Sequence, residues 1–328
     1  MNSSIVFICP YFGKINMEQY ELWMKCCEKN SNIDFRFLID DERAFSCDRP
    51  ANVKLERMSW EECKARILER LGFNVSLVYA YKLCDLKPAY GYIFPEYVEG
   101  YDFWGHIDFS DTILGDLSRF ITDDILDKYD KVHIYGHLTL YRNNPENNER
   151  FKIPAKCGVT IQELFSREEV TGFDEMYNMP SINVIFRENN FPLLNGIKDL
   201  VADVHPRYWY FRLSQDGAEK VNRVFEWDNG KLYELTADAD GVSKREIGYA
   251  HFQKRSMSNQ TSRNTSHFYA IPNQFIDADH EFSAAEIIEL SKDRFYFKPY
   301  KDRLKRIKWY LRHPKAFIRR MRRLLLRR

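Results

Sequence analysis

Short apolar runs alternate with helical spacing at the N-terminal end of the chain. The run Ser4–Pro10 predicts a buried strand, and the breakers in Pro10–Gly13 predict a turn after it. Apolar side chains recur every three or four positions across Met17–Lys29, which indicates a helix. Ile33–Ile39 predicts a second buried strand, and two acids follow it. This order is typical of the start of a parallel α/β sheet.

The same patterns continue along the chain. A capping box at Ser59–Glu62 predicts a helix through Leu71, and Asp102–Ile107 predicts another buried strand. A helix over 80–94 should bend or restart at Pro88, because proline lacks the amide hydrogen. The other predicted elements are helices over 117–129, 160–166 and 181–188, strands over 131–135, 208–212 and 246–252, polar loops over 143–150 and 256–266, and a hairpin over 224–235 that turns at Asp228–Gly230.

Composition limits the class of protein. Of 328 residues, 44% are hydrophobic and 15% aromatic, so a disordered chain is excluded and one large α/β domain or two small domains fit. The surplus of aromatic rings suits a packed core and also suits a carbohydrate site. The seven cysteines show no zinc-binding spacing and indicate reduced thiols in a cytosolic protein. We expect neither a signal peptide nor a membrane-spanning helix.

Charge is distributed unevenly along the chain. Residues 298–328 contain fourteen Lys and Arg and a single acid, Asp302, whereas residues 1–297 contain 35 basic and 47 acidic residues. Apolar side chains lie among the basic ones, so this basic tail predicts an amphipathic helix on an anionic membrane surface. Docking on the acidic body or on a partner is the alternative. Nucleic acid is not expected, because an acidic body would repel a long phosphate track.

An acidic turn follows the strand predicted over 102–107. Asp108 and Asp111 would lie at the carboxyl end of that strand, where open α/β sheets bind ligands. Carboxylates hold the divalent ions that neutralise a diphosphate leaving group. Two acids in a turn are also common in a helix cap with no catalytic role, and Asp111 could serve as such a cap.

Several stretches in order make the chain resemble a family of bacterial polysaccharide-biosynthesis glycosyltransferases with the GT-A fold. The stretches span about residues 5–255 and are Cys9–Gly13, Lys82–Gly91, Tyr101–Asp108, Gly172–Glu175 and Ala250–Arg255. The resemblance implies an α/β fold with a GT-A-like mixed sheet flanked by helices, followed by the amphipathic helical tail. It implies a domain over 1–297, with a nucleotide-sugar half over about 1–140 and an acceptor half over 141–297.

The resemblance also assigns roles to residues. The metal ligands would be Asp108, Asp111 and His251, with His205 as a second candidate, and an imidazole ligand favours Mn²⁺ over Mg²⁺. Asp174 and Glu175 are the candidates for the catalytic base if the transfer inverts the anomeric centre, and they would instead bind the acceptor or donor sugar if it retains configuration. The donor-binding residues would be Pro10, Tyr11, Phe12, Asp40, Lys82, Asp85, Lys87, His106, Lys254 and Arg255.

One feature departs from the family pattern. The family's motif is Asp-x-Asp, whereas this chain has Asp108-Phe-Ser-Asp111. Either Asp111 replaces the second acid, which we expect, or Ser110 takes that place and one carboxylate remains.

The implied activity is transfer of a sugar from a nucleotide sugar, such as UDP-hexose or UDP-N-acetylhexosamine, to a glycan or lipid-linked glycan in surface polysaccharide synthesis. The enzyme would lie in the cytoplasm, peripherally bound to the inner face of the cell membrane. Two alternatives remain: a catalytically silent membrane-bound scaffold, and a nucleotidyltransferase.

Overall fold

The computed structural model describes residues 2–177, 179–314, 317, 318 and 321. Its strands, numbered in chain order, are β1 (Ile5–Tyr11), β2 (Ile33–Ile39), β3 (Val53–Arg57), β4 (Phe103–Ile107), β5 (Thr112–Leu114), β6 (Lys131–Tyr135), β7 (Leu138–Arg142), β8 (Leu193–Leu194), β9 (Val201–Asp203), β10 (Asn222–Asp228), β11 (Lys231–Asp238), β12 (Gly241–Ile247), β13 (Tyr249–His251), β14 (Ser258–Asn259), β15 (His267–Ile271) and β16 (Gln274–Asp277).

Helices connect and flank these strands. They are α1 (Met17–Glu28), α2 (Glu42–Phe45), α3 (Trp60–Leu71), α4 (Leu83–Leu86), α5 (Tyr90–Ile93), α6 (Pro95–Val98), α7 (Asp123–Leu126), α8 (Pro145–Glu149), α9 (Ile161–Phe165), α10 (Ile182–Glu188), α11 (Ala284–Leu290) and α12 (Lys298–Arg312).

The central layer is a seven-stranded mixed sheet in the order β3-β2-β1-β4-β7-β6-β8. Strands β1 to β4 run parallel, and β7 runs antiparallel to both of its neighbours. The chain moves outward from β1 to β3 and then returns to place β4 on the other side of β1. The adjacent carboxyl ends of β1 and β4 therefore form a switch point, which is where open α/β sheets bind ligands.

Two smaller sheets are built mainly by the second half of the chain. One has the order β5-β13-β9 and packs beside the acidic turn, because β13 pairs antiparallel with β5 and parallel with β9. The other has six strands in the order β12-β11-β10-β15-β16-β14. The fold is therefore α/β, with several mixed sheets flanked by helices.

Alternation along β1 explains how the central sheet is buried. Ile5, Phe7 and Cys9 point into a core that contains α1 and continues into the second half of the chain. Val6 and Ile8 point to the opposite face, into a core with α3 and α5. A strand covered on both faces is apolar at nearly every position, which is why β1, β2 and β4 were predictable from short apolar runs.

Most of the elements predicted from the sequence are confirmed. The strand prediction over Ile33–Ile39 matches β2, and Ser59 and Glu62 form the predicted capping box of α3. The hairpin of β10 and β11 turns at Asn229 and Gly230, which both have positive φ, as the Asn-Gly pair predicted. The helix over 80–94 is divided into short pieces around Pro88.

Three predictions were wrong for local reasons. Residues 117–129 form a 3-10 turn and α7, because Asp116 and Thr122 start separate turns. The expected loop over 143–150 contains α8, since the Asn144 side chain caps it by accepting a hydrogen bond from the Asn147 amide. The expected strand over 208–212 is irregular, and carbonyls of Tyr208 and Trp209 accept hydrogen bonds from the Arg255 guanidinium.

A fourth prediction was also wrong. The single strand predicted over 246–252 is two separate strands in the structure. The structure ends β12 at Ile247 and begins β13 at Tyr249, in a different sheet. Gly248 lies between them against Leu200, where an added Cβ would be 2.6 Å from the Leu200 Cδ1 atom. The glycine allows this close approach, and the chain changes sheets there.

The basic tail is helical over α12. Pro314 follows the end of this helix, and the predicted apolar positions Leu324, Leu325 and Leu326 lie outside the described residues. Within the described part of the chain, no helix is long and apolar enough to cross a membrane. All seven cysteines are free thiols.

Candidate active site

A cavity of about 760 Å³ opens where β1 and β4 end. Its walls combine acids, histidines, lysines and aromatic rings. Ten of the residues predicted for the site line it: Pro10, Tyr11, Phe12, Lys87, Asp108, Asp111, Asp174, Glu175, Lys254 and His251. These residues are distant in sequence, and the sheet topology brings them together at the switch point.

The acidic turn is anchored by three hydrogen bonds. The Asp108 amide donates to the His137 carbonyl at 3.0 Å, which joins the turn to β7. The Thr112 hydroxyl donates to the Asp108 carbonyl at 2.8 Å, and the Trp23 indole N–H of α1 donates to that hydroxyl at 3.2 Å. The position of the two carboxylates therefore depends on buried groups beneath them.

Lys87 is the central cation of the cavity. Its Nζ donates to Asp108 Oδ1 at 2.6 Å and to the Gly136 carbonyl at 2.7 Å, and lies 3.9 Å from Asp174 Oδ2. Burial opposes the charged form, but the carboxylates of Asp108 and Asp174 outweigh it and raise the pKa of Lys87. The amine is therefore charged at neutral pH.

The two predicted catalytic acids lie against the turn between β6 and β7. Asp174 is buried, and burial raises its pKa well above the ordinary value despite the opposing charge of Lys87. Glu175 Oε2 accepts a hydrogen bond from the Gly136 amide at 3.3 Å. A Cβ on Gly136 would lie 2.4 Å from Asp174 Oδ2, so any larger residue there would have to displace these acids.

Asp111 connects the acidic turn to the segment after β13. Its carbonyl accepts from the Phe252 amide at 2.7 Å, and its Oδ2 accepts from the Lys254 amide at 2.9 Å. Gln253 and Lys254 both have positive φ in this tight connection. Burial, and then the charge of Asp108, raise the pKa of Asp111. The Lys254 amine reaches Tyr81 across the cavity, with a 2.7 Å hydrogen bond to its hydroxyl.

His251, which was predicted to bind a metal with Asp108 and Asp111, contacts Asp203 and His137. Its Nδ1 is 2.7 Å from Asp203 Oδ1, and its ring stacks on His137 with centroids 4.0 Å apart. In the described part of the chain, one set of three His, Cys, Asp or Glu residues has ligand atoms within 4.8 Å of one another, and it is His137, Asp203 and His251. It shares a single residue with the predicted metal set.

The donor chemistry of the cavity nevertheless fits the divalent ion that the resemblance implies. Asp108, Asp111 and His251 line one cavity and offer hard oxygen and imidazole nitrogen donors. Asp108 gives one oxygen to Lys87, and Asp111 gives one to the Lys254 amide. These three residues are therefore candidate ligands in the same cavity as the His137 set.

Lys82 and Asp85 lie outside the cavity. Both are fully buried and form an ion pair at 2.6 Å. The Asp85 carboxylate also accepts hydrogen bonds from the amides of Thr171, Gly172 and Phe173. The pair therefore supports the segment that leads into Asp174, rather than facing a donor as predicted.

Three more predicted donor-binding residues also lie outside it. Asp40 Oδ1 accepts from the Gly13 amide at 2.8 Å and holds the turn after β1. His106 is buried on β4 under the acidic turn, where a small side pocket of about 60 Å³ reaches it. Arg255 is buried and donates to several backbone carbonyls, and His205 Nδ1 accepts from the Arg207 amide.

Sequence reasoning missed several residues that line the cavity. They are Tyr81, Tyr135, Gly136, His137, Asp203 and Gln253, together with smaller groups around them. The spacing His133-x-x-x-His137 at a strand turn was a visible signal. For Asp203, the sequence gave no signal of a functional role except its position at the end of a short apolar run.

Comparison with known proteins adds one finding. A family model described as a family of unknown function, DUF6625, matches residues 7–279. No curated protein and no solved structure matches the chain.

Proposed function

The chain belongs to the DUF6625 family, a family of unknown function, and we propose from its cavity that it is a metal-dependent glycosyltransferase with a GT-A-like architecture. It would transfer a hexosyl or N-acetylhexosaminyl group from a nucleotide sugar, with UDP as the expected nucleotide, to a glycan or lipid-linked glycan. The observation that carries the proposal is the cavity at the carboxyl ends of β1 and β4, which unites the acidic turn, Lys87 and the Asp174–Glu175 pair.

The residues that line the cavity suit the different parts of a nucleotide sugar. Tyr11 and Phe12 offer aromatic rings at the end of β1, where a base and ribose would lie. Lys87 and Lys254 offer cations for phosphate oxygens. A divalent ion held by the acidic turn would neutralise the charge that builds on the leaving diphosphate.

Asp174 is the best-placed group for proton transfer. A carboxylate with a raised pKa is a stronger base than an ordinary aspartate, which suits removal of the proton from an acceptor hydroxyl. Lys87 lies between Asp174 and Asp108, so one cation couples the acidic turn to the proposed base. Glu175, held by the Gly136 amide, would orient the acceptor.

Binding and release of nucleotide test this proposal. We expect UDP-sugars with Mn²⁺ to raise the melting temperature of the full chain, because a ligand that binds only the native state stabilises it. At 100 times the Kd the gain is about 2.7 kcal/mol. Asp108→Ala and Lys87→Met should abolish the shift and the release of UDP, whereas Asp240→Ala, in an exposed turn, should retain both.

Two results would contradict the proposal. If no nucleotide sugar in a panel of UDP, GDP and dTDP donors shifts the melting temperature or loses its nucleotide, the scaffold alternative is favoured. If pyrophosphate is released from a nucleoside triphosphate instead, the nucleotidyltransferase alternative is favoured.

We further propose that the basic tail holds the enzyme on an anionic membrane surface, which is the inner face of the cell membrane for a cytoplasmic protein. Large apolar side chains of the tail, and Phe297 immediately before it, are exposed at three- and four-residue spacing, which places them on one face: Phe297, Tyr300, Leu304, Ile307 and Leu311. Basic residues surround them in sequence. Each Lys or Arg near anionic lipid contributes about 1 kcal/mol to binding.

Sedimentation with vesicles tests the tail. The full chain should pellet with phosphatidylserine-containing vesicles and remain soluble with neutral ones. The double substitution Leu304→Glu and Ile307→Glu, and removal of residues 299–328, should each prevent pelleting. Equal pelleting of all forms would contradict membrane binding, and loss of stability after removal of the tail would instead favour docking on the acidic body.

A further inference from the structure

We propose that His137, Asp203 and His251 together bind a divalent transition-metal ion, at a site that shares His251 with the set predicted around the acidic turn but requires neither Asp108 nor Asp111. Each of the three residues comes from a different element. His137 lies between β6 and β7, Asp203 ends β9, and His251 ends β13. His251 and Asp203 are direct partners in the β9–β13 pairing, so strand register alone places these two side by side.

Asp203 is held in place by three hydrogen-bonding neighbours. Its Oδ1 faces His251 Nδ1 at 2.7 Å, and its Oδ2 accepts hydrogen bonds from Ser214 Oγ and Gln253 Nε2, both at 2.7 Å. A carboxylate fixed by neighbours in this way is typical of metal sites.

His137 supplies the observation that points to a ligand. Its side chain is buried on the cavity wall, its Nδ1 is 2.9 Å from the Tyr249 hydroxyl, and its Nε2 is buried without a hydrogen-bond partner. The ring stacks on His251. A buried nitrogen with no partner is costly, and binding an ion would satisfy it.

One of the two hydrogen-bond arrangements around Tyr249 leaves His137 in the ring form that binds metals. The Tyr249 hydroxyl lies between His137 Nδ1 and His133 Nε2, at 2.9 and 3.1 Å. The hydroxyl has one hydrogen, so if it donates to His133 it accepts from the Nδ1–H of His137. The Nε2 of His137 then has its lone pair free.

The donor set indicates which ions would bind. Two imidazoles and one carboxylate suit Mn²⁺, Fe²⁺ and Zn²⁺, whereas Mg²⁺ and Ca²⁺ prefer oxygen donors. A different interpretation is a structural His–carboxylate pair. His267 and Glu226 form such a pair at the same 2.7 Å. In the described residues, no further ligand joins that second pair to complete a set of three, so it serves as the matched control.

Direct metal binding tests the proposal without any nucleotide sugar. The full chain is freed of metal with a chelator and titrated with MnCl₂, and bound ion is measured by the loss of the free Mn²⁺ signal in electron paramagnetic resonance. ZnCl₂ should displace the bound Mn²⁺, and MgCl₂ should not. His137→Gln and Asp203→Asn should each weaken binding at least about tenfold, and His267→Gln should leave it unchanged.

A second set of variants separates this site from the acidic turn. Asp108→Asn with Asp111→Asn should retain Mn²⁺ binding in the chain without nucleotide. Tyr249→Phe removes only the hydroxyl that positions His137, so it should weaken Mn²⁺ binding while leaving the circular dichroism spectrum unchanged. This variant keeps the test decisive if a ligand substitution disturbs folding.

Three outcomes would overturn the proposal. They are no binding of Mn²⁺ or Zn²⁺ by the wild type, equal binding by wild type and the His137→Gln and Asp203→Asn variants, and a loss of binding that follows the Asp108 and Asp111 substitutions instead. None of them depends on sugar transfer. A failed transfer assay with intact metal binding would therefore count against the proposed function alone.

Discussion

Gly136 shows how a residue without a side chain shapes the candidate site. Its amide, its carbonyl and the space beside its Cα are all used, by Glu175, Lys87 and Asp174 respectively. A methyl group there would displace both acids. Neither hydrophobic pattern nor charge along the sequence marks such a position, because only the contact across the cavity creates the requirement.

We therefore expect Gly136→Ala to destabilise the fold by about 1–3 kcal/mol, the usual cost of an overpacked site. Urea unfolding followed by circular dichroism measures the change. Gly217→Ala is the control, because no atom lies within 4 Å of its added Cβ. Equal stability of the two variants would show that the acids move aside freely.

The Lys82–Asp85 pair makes a second residue-scale prediction. Asp85→Asn leaves Lys82 charged and fully buried without its counter-ion, so we expect a loss of about 3–5 kcal/mol in the free energy of unfolding. The Glu61–Lys64 pair has the same i, i+3 spacing but is more exposed, and Glu61→Gln should cost less than about 1 kcal/mol. Similar losses in both variants would contradict a supporting role for the buried pair.

At the scale of elements, α1 supports the acidic turn through hydrogen bonds that pass through Thr112. Trp23 on this helix donates to Thr112 Oγ1, and Thr112 donates to the carbonyl of Asp108. The helix therefore contributes to the site without contributing a residue to the cavity wall.

Thr112→Val should disconnect the helix from the turn. The substitution keeps the shape but leaves the buried Trp23 N–H and the Asp108 carbonyl unpaired, which costs about 1–3 kcal/mol. Thr236→Val, at a half-buried position on β11, should change the stability by less than about 0.5 kcal/mol. Thermal unfolding compares the two. If Thr112→Val lowers the stability no more than Thr236→Val does, the hydrogen bonds through Thr112 do not stabilise the acidic turn.

At the scale of the whole molecule, buried histidines link stability to pH. Burial lowers the pKa of His133 to about 3, and the charge of Lys131 adds to this. In the unfolded chain its pKa is about 6.5. As the pH falls below 6.5, His133 binds a proton in the unfolded state but stays neutral in the native state. The free energy of unfolding therefore decreases as the pH falls, until about pH 3.

His133→Asn removes this titration and suits the positive φ of 76° at this position, because asparagine tolerates left-handed backbone. Below about pH 5.5, the wild type should lose about 1.4 kcal/mol per pH unit more than the variant. Urea titrations between pH 7.5 and 4.5 measure the two slopes. The control His280→Gln is exposed and should keep the wild-type slope. Parallel slopes for wild type and His133→Asn would contradict a neutral buried imidazole.

The sequence by itself determined the elements whose reasons are local. Apolar runs marked β1, β2 and β4, a capping box marked α3, and Asn229-Gly230 marked a hairpin, because propensity, capping and turn geometry act within a few residues. It also identified Tyr11 and Asp108, since side chains at the carboxyl ends of parallel strands meet at one edge of a sheet.

Only the tertiary structure decided which of the candidate residues meet. In the structure, Lys82 and Asp85 form a buried ion pair outside the cavity. His251 contacts Asp203 and His137, which lie 48 and 114 positions away in the chain. These contacts depend on strand order, on register and on the change of sheet at Gly248. Such long-range pairings leave no periodic signal in the sequence, because each partner's local pattern is the same with or without the other.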